Sequence, residues 1–417
     1  MTEHDPGDQG ATEPGLRQVL ERATDRIEPS YAGTVLDLAR QRRSRRRATL
    51  ASLAAAAVVV GVVVGVTRMD GSDRLMPADV PDPAPTASAP AETHDPVLAR
   101  WDPFTVVDAP VRETVLPMDV EPPATAPSVL EQPIGAAVLA WPEEGRDVRL
   151  LAVDGTWRSV PGTVEAVSGT NRLVTPALSH DGRLLAHPTD AGILVVDLAA
   201  GEQRTIAWPD PLAGPSDWPP ELRWMPGEQQ VAVLHWRGTW LVGLDGSSRR
   251  APYGGEYGTG LAIDPEGPIV HRRWEDQDLR VWDGETVVSE TRFLHWGDRI
   301  VTAHGLMAMS GGGGGLPGNG GPMVVDAATG EVLAYAPIRD RSAVYTDNGH
   351  LRPQGFLDED TVLLLVGPMD FRTMELGEES WHLVAWDFRE HSFTRLATGD
   401  TAMSWVGVAP GVLADSW

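Results

Sequence analysis

Residues 193–208 read ILVVDLAAGEQRTIAW. An apolar run closes on Asp197, a polar turn carries Gly201, and a second strand-like run from Gln203 to Trp208 leads away, which is the pattern of a β-hairpin. The same order returns in VRLLAVDGTW at Asp154, WLVGLDGSS at Asp245, RVWDGE at Asp283, MVVDAATGE at Asp326, VAWDFREH at Asp387 and, more faintly, FTVVDAPVRE at Asp108. Successive Asp positions are separated by 46, 43, 48, 38, 43 and 61 residues, the period of a four-stranded propeller blade.

A second hairpin precedes the marked one in several units. TPALSHDGRLLAH before Asp197 turns at His180-Asp181-Gly182, and LAIDPEGPIVHRRW and QGFLDEDTVLLLV follow the same plan before Asp283 and Asp387. An Asp at a strand end accepts from the main chain two residues on, and Gly takes the positive φ of a tight turn, so turn chemistry accounts for these acids. With strands lettered A to D from the centre outwards, the marked hairpin is C–D and the preceding one A–B. The last residues, TAMSWVGVAPGVLADSW, read as strands A and B, and residues 104–117 read as C and D. Joined, they make a seventh blade. The Pro-rich stretch 118–133 is a poor strand A, however, and if it supplies none the C-terminal segment completes the Asp154 blade and the count is six. The expected fold is therefore all-β, a propeller over 101–417 of seven or alternatively six four-stranded blades.

The amino-terminal quarter has another grammar. Leu16, Val19, Leu20, Ala23 and Ile27 form one apolar stripe of a short helix ending before Pro29. Residues 40–47 hold six Arg, and the uncharged run 48–67 is long enough, at about 30 Å as a helix, to cross a bilayer. The Arg cluster predicts a cytoplasmic segment 1–47 by the positive-inside rule. Pro, Ala and Asp mark 68–100 as a linker. Gly61 and Gly65 have helix-dimer spacing, which chance explains in so small-residue-rich a run. The expected placement is a single-pass cell-membrane protein with its propeller extracytoplasmic.

Composition removes whole classes of chemistry. The chain has no Cys, so no disulfide or thiolate metal site. It also has no Lys, which excludes the P-loop lysine and Schiff-base mechanisms. The formal net charge of −25 speaks against nucleic acid as a partner.

Residues 101–417 resemble TolB-type and WD-repeat propellers, with Trp282-Asp283 and Trp386-Asp387 standing where the WD pair would and SHDG similar to the SPDG turn of TolB-type blades. The Gly-His that opens a true WD repeat is absent, so the resemblance implies fold and not partner. The whole layout resembles single-pass extracytoplasmic propeller proteins of high-GC Gram-positive, actinobacterial type. Asp326, Thr329 and Gly330 resemble the tryptophan-docking motif of quinoprotein dehydrogenases, yet its Trp falls at Ala334; a hairpin turn explains them better. Asp154-Gly155-Thr156-Trp157 has only a superficial likeness to a sialidase Asp box, and G-x-S-x-G does not occur.

The 11 His show no metal-binding spacing, and Asp358-Glu359-Asp360 sits where other blades turn from A to B. Gly311–Gly321 is expected between strands B and C, and the extra length before Asp387 in loops 339–353 and 367–380, where specificity can be built. No catalytic, cofactor-binding or metal-binding residue is assigned, and no cofactor. Strand A segments read as mostly apolar or Ser/Thr, which favours binding over catalysis. The expected function is a membrane-anchored, non-enzymatic binding or sensing module for an unknown protein or cell-envelope ligand, with a cytoplasmic protein partner for residues 14–30. The alternative is a hydrolase or lyase acting on cell-wall carbohydrate.

Overall fold

Each Asp-marked stretch from Asp154 onward is the third-to-fourth-strand hairpin of a four-stranded antiparallel sheet, and six such sheets close into a ring. The computed structural model describes residues 108–417 except 144, 165–173, 213–219, 255–259, 266, 274–276, 314–315, 317–319, 338–350, 368, 371–374, 377–380 and 400–405. The expected cytoplasmic segment 1–47, membrane helix 48–67 and linker 68–100 lie outside these residues. Among the described residues no helix is long and apolar enough to cross a membrane.

Blade one contains β1 (Ala137–Glu143), β2 (Arg146–Ala152) and β3 (Trp157–Ser159). Blade two is β4 (Ala177–Leu178), β5 (Leu184–Thr189), β6 (Gly192–Asp197) and β7 (Glu202–Ile206). Blade three is β8 (Glu221–Trp224), β9 (Gln230–His235), β10 (Gly238–Gly243) and β11 (Ser248–Arg250). Blade four is β12 (Leu261–Ile263), β13 (Ile269–Arg273), β14 (Asp278–Asp283) and β15 (Thr286–Arg292), and blade five is β16 (His295–Ala303), β17 (Leu306–Gly313), β18 (Gly321–Asp326) and β19 (Val332–Tyr335). Blade six is β20 (Leu351–Phe356), β21 (Thr361–Val366), β24 (Trp381–Asp387) and β25 (Ser392–Gly399), with a small hairpin, β22 (Met369–Asp370) and β23 (Glu375–Leu376), inserted between β21 and β24. β26 (Gly407–Val408) is followed by one turn of helix, α1 (Pro410–Ala414).

The count is six, and the seven-blade expectation is corrected. β26 pairs with β1, Leu139 opposite Val408 and Ala140 opposite Gly407, so the C-terminal segment supplies only strand A of the Asp154 blade. The expected strand B after it is α1 instead, because Pro410 cannot donate to a ladder and is suited to open a helix. The described part of 104–117 is no C–D hairpin either. Residues 110–129 form a strap that touches outer strands by isolated parallel bridges. Arg112 N–H donates to Arg395 O at 3.1 Å and Arg395 N–H to Pro110 O at 2.8 Å. Val120 N–H donates to Thr398 O at 2.7 Å, and Val129 N–H to Ser159 O at 2.9 Å. The prolines explain the form: a chain with few N–H groups makes single bonds on an edge where it cannot sustain a strand.

The strap crosses from blade six to blade one outside the seam that β26 closes inside. Its Leu116, Val120 and Val129 are buried in the same core as Val408, Val412 and Leu413 from the C-terminal segment. Within that core Trp141 of blade one and Trp381 of blade six pack with ring centroids 5.4 Å apart, a contact worth about 1 kcal/mol beyond area burial. Outside it, Trp417 is gripped from both sides: Arg112 donates to its main-chain oxygen and lies 3.9 Å over its ring, and its Nε1 donates to Asp358 at 2.8 Å. Gly355 is required here, since a Cβ at that position would meet the Pro410 ring at 2.4 Å.

The antiparallel order gives the ring two unlike faces. A–B and C–D connections, all two to five residues long by the strand bounds, lie on one face, the turn face. D–A and B–C connections, some as long as 160–176, 336–350 and 367–380 in sequence, leave the strands at the other, the loop face. Two expected loop boundaries shift: Gly311–Gly313 belong to β17, and Leu351–Pro353 to β20.

Candidate functional site

The turn face uses its acids locally. Asp154 accepts from the N–H and hydroxyl of Thr156 at 3.0 and 2.6 Å, and Asp245 from those of Ser247 at 2.9 and 2.6 Å. These hydrogen bonds hold both carboxyls below their ordinary range. Asp197 accepts from the N–H groups of Ala199 and Ala200, and Asp387 from those of Arg389 and Glu390. Asp326 accepts from the N–H groups of Ala328 and Thr329 and from the Thr329 hydroxyl at 2.9 Å, so the residues that resembled a docking motif form a hairpin turn. Asp358 accepts from Asp360 N–H at 2.9 Å, an A–B turn as expected. No group of three or more His, Cys, Asp or Glu that could hold a metal occurs among the described residues.

The inner strands are expected to be mostly apolar or Ser/Thr, and β4, β12 and β26 are apolar, but β8, β16 and β20 also carry charged residues. They enclose a central channel of about 450 Å³ whose lining includes Glu221, Arg223, Arg299, Gln354, Asp181 and Glu228. On β8, Leu222 and Trp224 are buried against neighbouring strands, and Trp224 Nε1 donates to Ala177 O of β4 at 3.0 Å. The period of two then turns Glu221 and Arg223 to the channel. Arg223 donates to Glu221 Oε1 from Nε at 3.1 Å and from Nη2 at 2.8 Å, and its Nη1 reaches across to Ile300 O of β16 at 2.9 Å.

Arg299 reaches the channel through a bulge. Asp298 pairs with Ser310 and Ile300 with Met309, so Arg299 is the extra residue of β16, held at φ 47°. Such an insertion bends the strand and re-aims a side chain, and it is common beside binding sites. β20 has a matching bulge at Gln354, one turn of the pleat beyond the buried Arg352. Burial pushes the Glu221 carboxyl up, but the charges of Arg223, Arg299 and Arg352 and the Arg223 hydrogen bond outweigh it and hold Glu221 below its ordinary range.

The far end of the channel has the opposite field. In the β8–β9 turn Glu228 adopts φ 57°, and its carboxyl receives the N–H groups of His180 and Asp181 and shares a hydrogen bond with the Asp181 carboxyl. Burial and the Asp181 charge push Glu228 above its ordinary value. Asp181 is itself fixed by Ser179 Oγ at 2.7 Å and Arg183 N–H at 3.0 Å.

No known protein-family profile matches the chain, and no curated protein sequence does. Solved propellers are similar to it in outline. The WD40 repeats of RRP9 share 14% identity at a TM-score of 0.39, covering 66% of this chain and 86% of that one. A TolB-type protein from Agrobacterium tumefaciens shares 13% at 0.39, covering 66% and 98%. A gluconolactonase from Xanthomonas campestris shares 16% at 0.35, covering 60% and 93%. Likeness at this level carries no argument about function, and the six-blade architecture rests on the strand pairing above.

Sequence reading missed Glu221, Arg223, Arg299 and Arg352. A signal existed for the first two, since ELRW alternates polar and apolar residues one residue before the Pro226-Gly227 turn. Arg299 had none, because a bulge depends on the register of two strands.

Proposed function

We propose that the chain is a membrane-anchored, extracytoplasmic binding module whose recognition surface is the loop face and the channel end that opens on it. The supporting observation is the contrast of the two faces: carboxylates of the turn face are consumed in main-chain turns, whereas the loop-face end gathers Glu221, Arg223 and Arg299 on rigid strands below connections of unequal length. Rigid walls with variable rims are how a repeated scaffold acquires a specific partner. Loop-face Trp236, 48% exposed with Arg237 4.8 Å over its ring, adds an anchor of the kind that dominates interfaces. The membrane placement is supported by the six Arg of 40–47 and the uncharged run 48–67.

Two experiments test this. Protease added to intact spheroplasts is expected to digest the chain beyond about residue 70 and spare the amino-terminal segment, as the charge rule requires; protection of the propeller overturns the topology. A photo-crosslinker at Trp236 is expected to capture an envelope component that the same group at Val153, on the turn face, does not.

The raised carboxyl of Glu228 supports a second reading, a hydrolase in which Glu228 donates a proton. Against it, Asp181 and Glu228 hydrogen-bond directly, closer than the roughly 5 Å that separates the carboxyls of a retaining glycosidase. Turnover of cell-wall glycan fragments that disappears in Glu228→Gln would replace the binding reading with this one.

A further inference from the structure

Each blade ends in an outer strand whose far edge carries main-chain groups that its own sheet does not pair, and native proteins blunt such edges by shortness, charge or a cover. Five of the six outer strands follow that rule. β25, eight residues long, and β3 lie under the strap 110–129. β11 is three residues, Ser248 and two exposed arginines; β7 is five, four of them polar and exposed; β19 is four, two of them buried. β15 is the exception. It is seven residues long, it stands last in its sheet, and among the described residues no strand but β14 pairs with it.

Its two faces differ with the period of the pleat. Ser289 and Thr291 donate to Ala328 O and Thr329 O of blade five at 2.7 and 3.1 Å, and Phe293 is buried. The alternate residues Val288, Glu290, Arg292 and, just beyond the strand, Leu294 are exposed, Val288 to 59% and Leu294 to 50%. Phe293 N–H donates to Gln277 O, directly before β14. Groups that face the partner alternate with groups that face away in an antiparallel ladder, so the N–H and C=O of Glu290 and Arg292 point outward.

We propose that β15 is a self-complementary edge through which the protein pairs with a second copy of itself. An antiparallel, two-fold pair of β15 strands centred on Thr291 sets Glu290 opposite Arg292 of the second copy and Val288 opposite Leu294 of the second copy, and the symmetry makes each contact twice. Acid meets base and apolar meets apolar throughout. In the same register the outward main-chain groups of 290 and 292 exchange N–H···O bonds. β7 shows why charge alone is not enough: Glu202 and Arg204 have the same spacing, but the next residue on that face, Ile206, is buried and adds no contact. A second copy is chosen over a foreign chain because the stripe carries its own complement. Two terms keep the affinity low. The β14–β15 register shifts at Val281/Trp282, which makes Val288 the extra residue of a bulge and ends the regular edge there. The net charge of −25 repels a second copy at long range, so pairing is expected at physiological rather than low ionic strength. None of this rests on the loop-face reading.

The test is sedimentation velocity of the purified full-length protein in mild detergent, over a range of concentrations and at an ionic strength of about 0.15 M, where charge acts over only about 8 Å. Wild type is expected to show a concentration-dependent dimer. Glu290→Arg and Arg292→Glu are each expected to weaken it at least about tenfold, since two cross-strand attractions become two repulsions. An equimolar mixture of these two variants is expected to dimerise, because each brings the charge that the other lacks, and the double variant with both charges exchanged is expected to dimerise alone. Recovery in the mixture also shows that both variants are folded; Arg280, which donates to Glu290 at 3.1 Å, keeps Asp278 at 3.3 Å in either case. Glu202→Arg on β7 is expected to change nothing. A monomer at every concentration overturns the proposal and leaves the edge to another segment of the chain or to a foreign partner. A dimer that Glu290→Arg and Arg292→Glu leave intact overturns it as well, since the contact then lies elsewhere, and so does a mixture of the two that stays monomeric while wild type dimerises.

Discussion

Glu221 and Glu228 stand seven residues apart, one at the start of β8 and one in the turn beyond it, and the structure drives their ionisation in opposite directions. At the loop-face end three guanidinium groups surround a single carboxylate and keep it charged. At the turn-face end burial and the neighbouring Asp181 charge push Glu228 above its ordinary value. Both glutamates lose water, so burial cannot be the difference; neighbouring charge is, from Arg223 on the same strand with Arg299 and Arg352 of other blades at one end, and from Asp181 of blade two at the other. A strand of four residues spans the channel from one field to the other. The lesson is that in a ring of sheets the chemistry of an inner position is set by what the opposite blades bring, as when Arg223 of blade three reaches Ile300 of blade five.

Opening the ring should abolish both ends at once, and this is the largest effect expected. Deleting residues 404–417 removes β26, its pairing with β1, the packing of Val412 and Leu413, and the Trp417 clamp. The melting temperature should fall by more than about 10 °C, the exposed edge of β1 should cause aggregation, and light scattering during a thermal ramp would show it. A small loss without aggregation would mean that the outer strap alone closes the seam.

Acid titration probes the walls between the two ends. His187 and His271 on strand B, and His382 on strand C, are buried and held down to about 4, chiefly by loss of water. The folded values lie below the unfolded value of 6.5, so the unfolded chain binds more protons between pH 6.5 and 4. Stability is therefore full above pH 6.5 and falls as the pH drops through this window, by on the order of 3 kcal/mol for His187 alone. Urea midpoints measured from pH 7.5 to 4 should decline, and His187→Phe should flatten the curve. An unchanged slope in that variant would show His187 to be charged or solvated.

Substitution at the two glutamates then tests the comparison directly. Glu221→Leu leaves the half-buried Arg223 without its carboxylate and should cost about 3–5 kcal/mol, read as a shift of the urea midpoint. Glu228→Gln removes one member of a carboxyl pair and should alter stability by less than about 1 kcal/mol at pH 7, in the stabilising direction, since a raised folded value means that the charged form is disfavoured in the native state. Similar losses at both positions would show that the two ends do not differ in field.

Much of the fold was legible because each blade is a local object. The Asp positions from 154 to 387 mark real C–D hairpins, and at Asp154, Asp197, Asp245, Asp326 and Asp387 the carboxylate accepts from the main chain two residues on, a contact written within one short stretch. The apolar runs QVAVLH and TVLLLV are buried strands because each sheet packs on neighbours at both faces. Asp108 misled for a matching reason. FTVVDAPVRE has the apolar run and the acid, but Pro110 and the prolines that follow it deny the segment a ladder, and the described residues lie along outer edges instead.

By itself, the sequence determined the all-β repeat, the positions of the turns, the exclusion of thiol and lysine chemistry, and the expectation of a membrane anchor, because propensity, composition and turn chemistry act over a few residues. Only the tertiary structure decided the blade number, the strap and the charged channel. Closure of a ring joins Val408 to Leu139, and the channel joins Glu221 and Arg223 to Arg299 and Arg352, pairings between residues far apart in the chain whose energy exists only once six sheets have met.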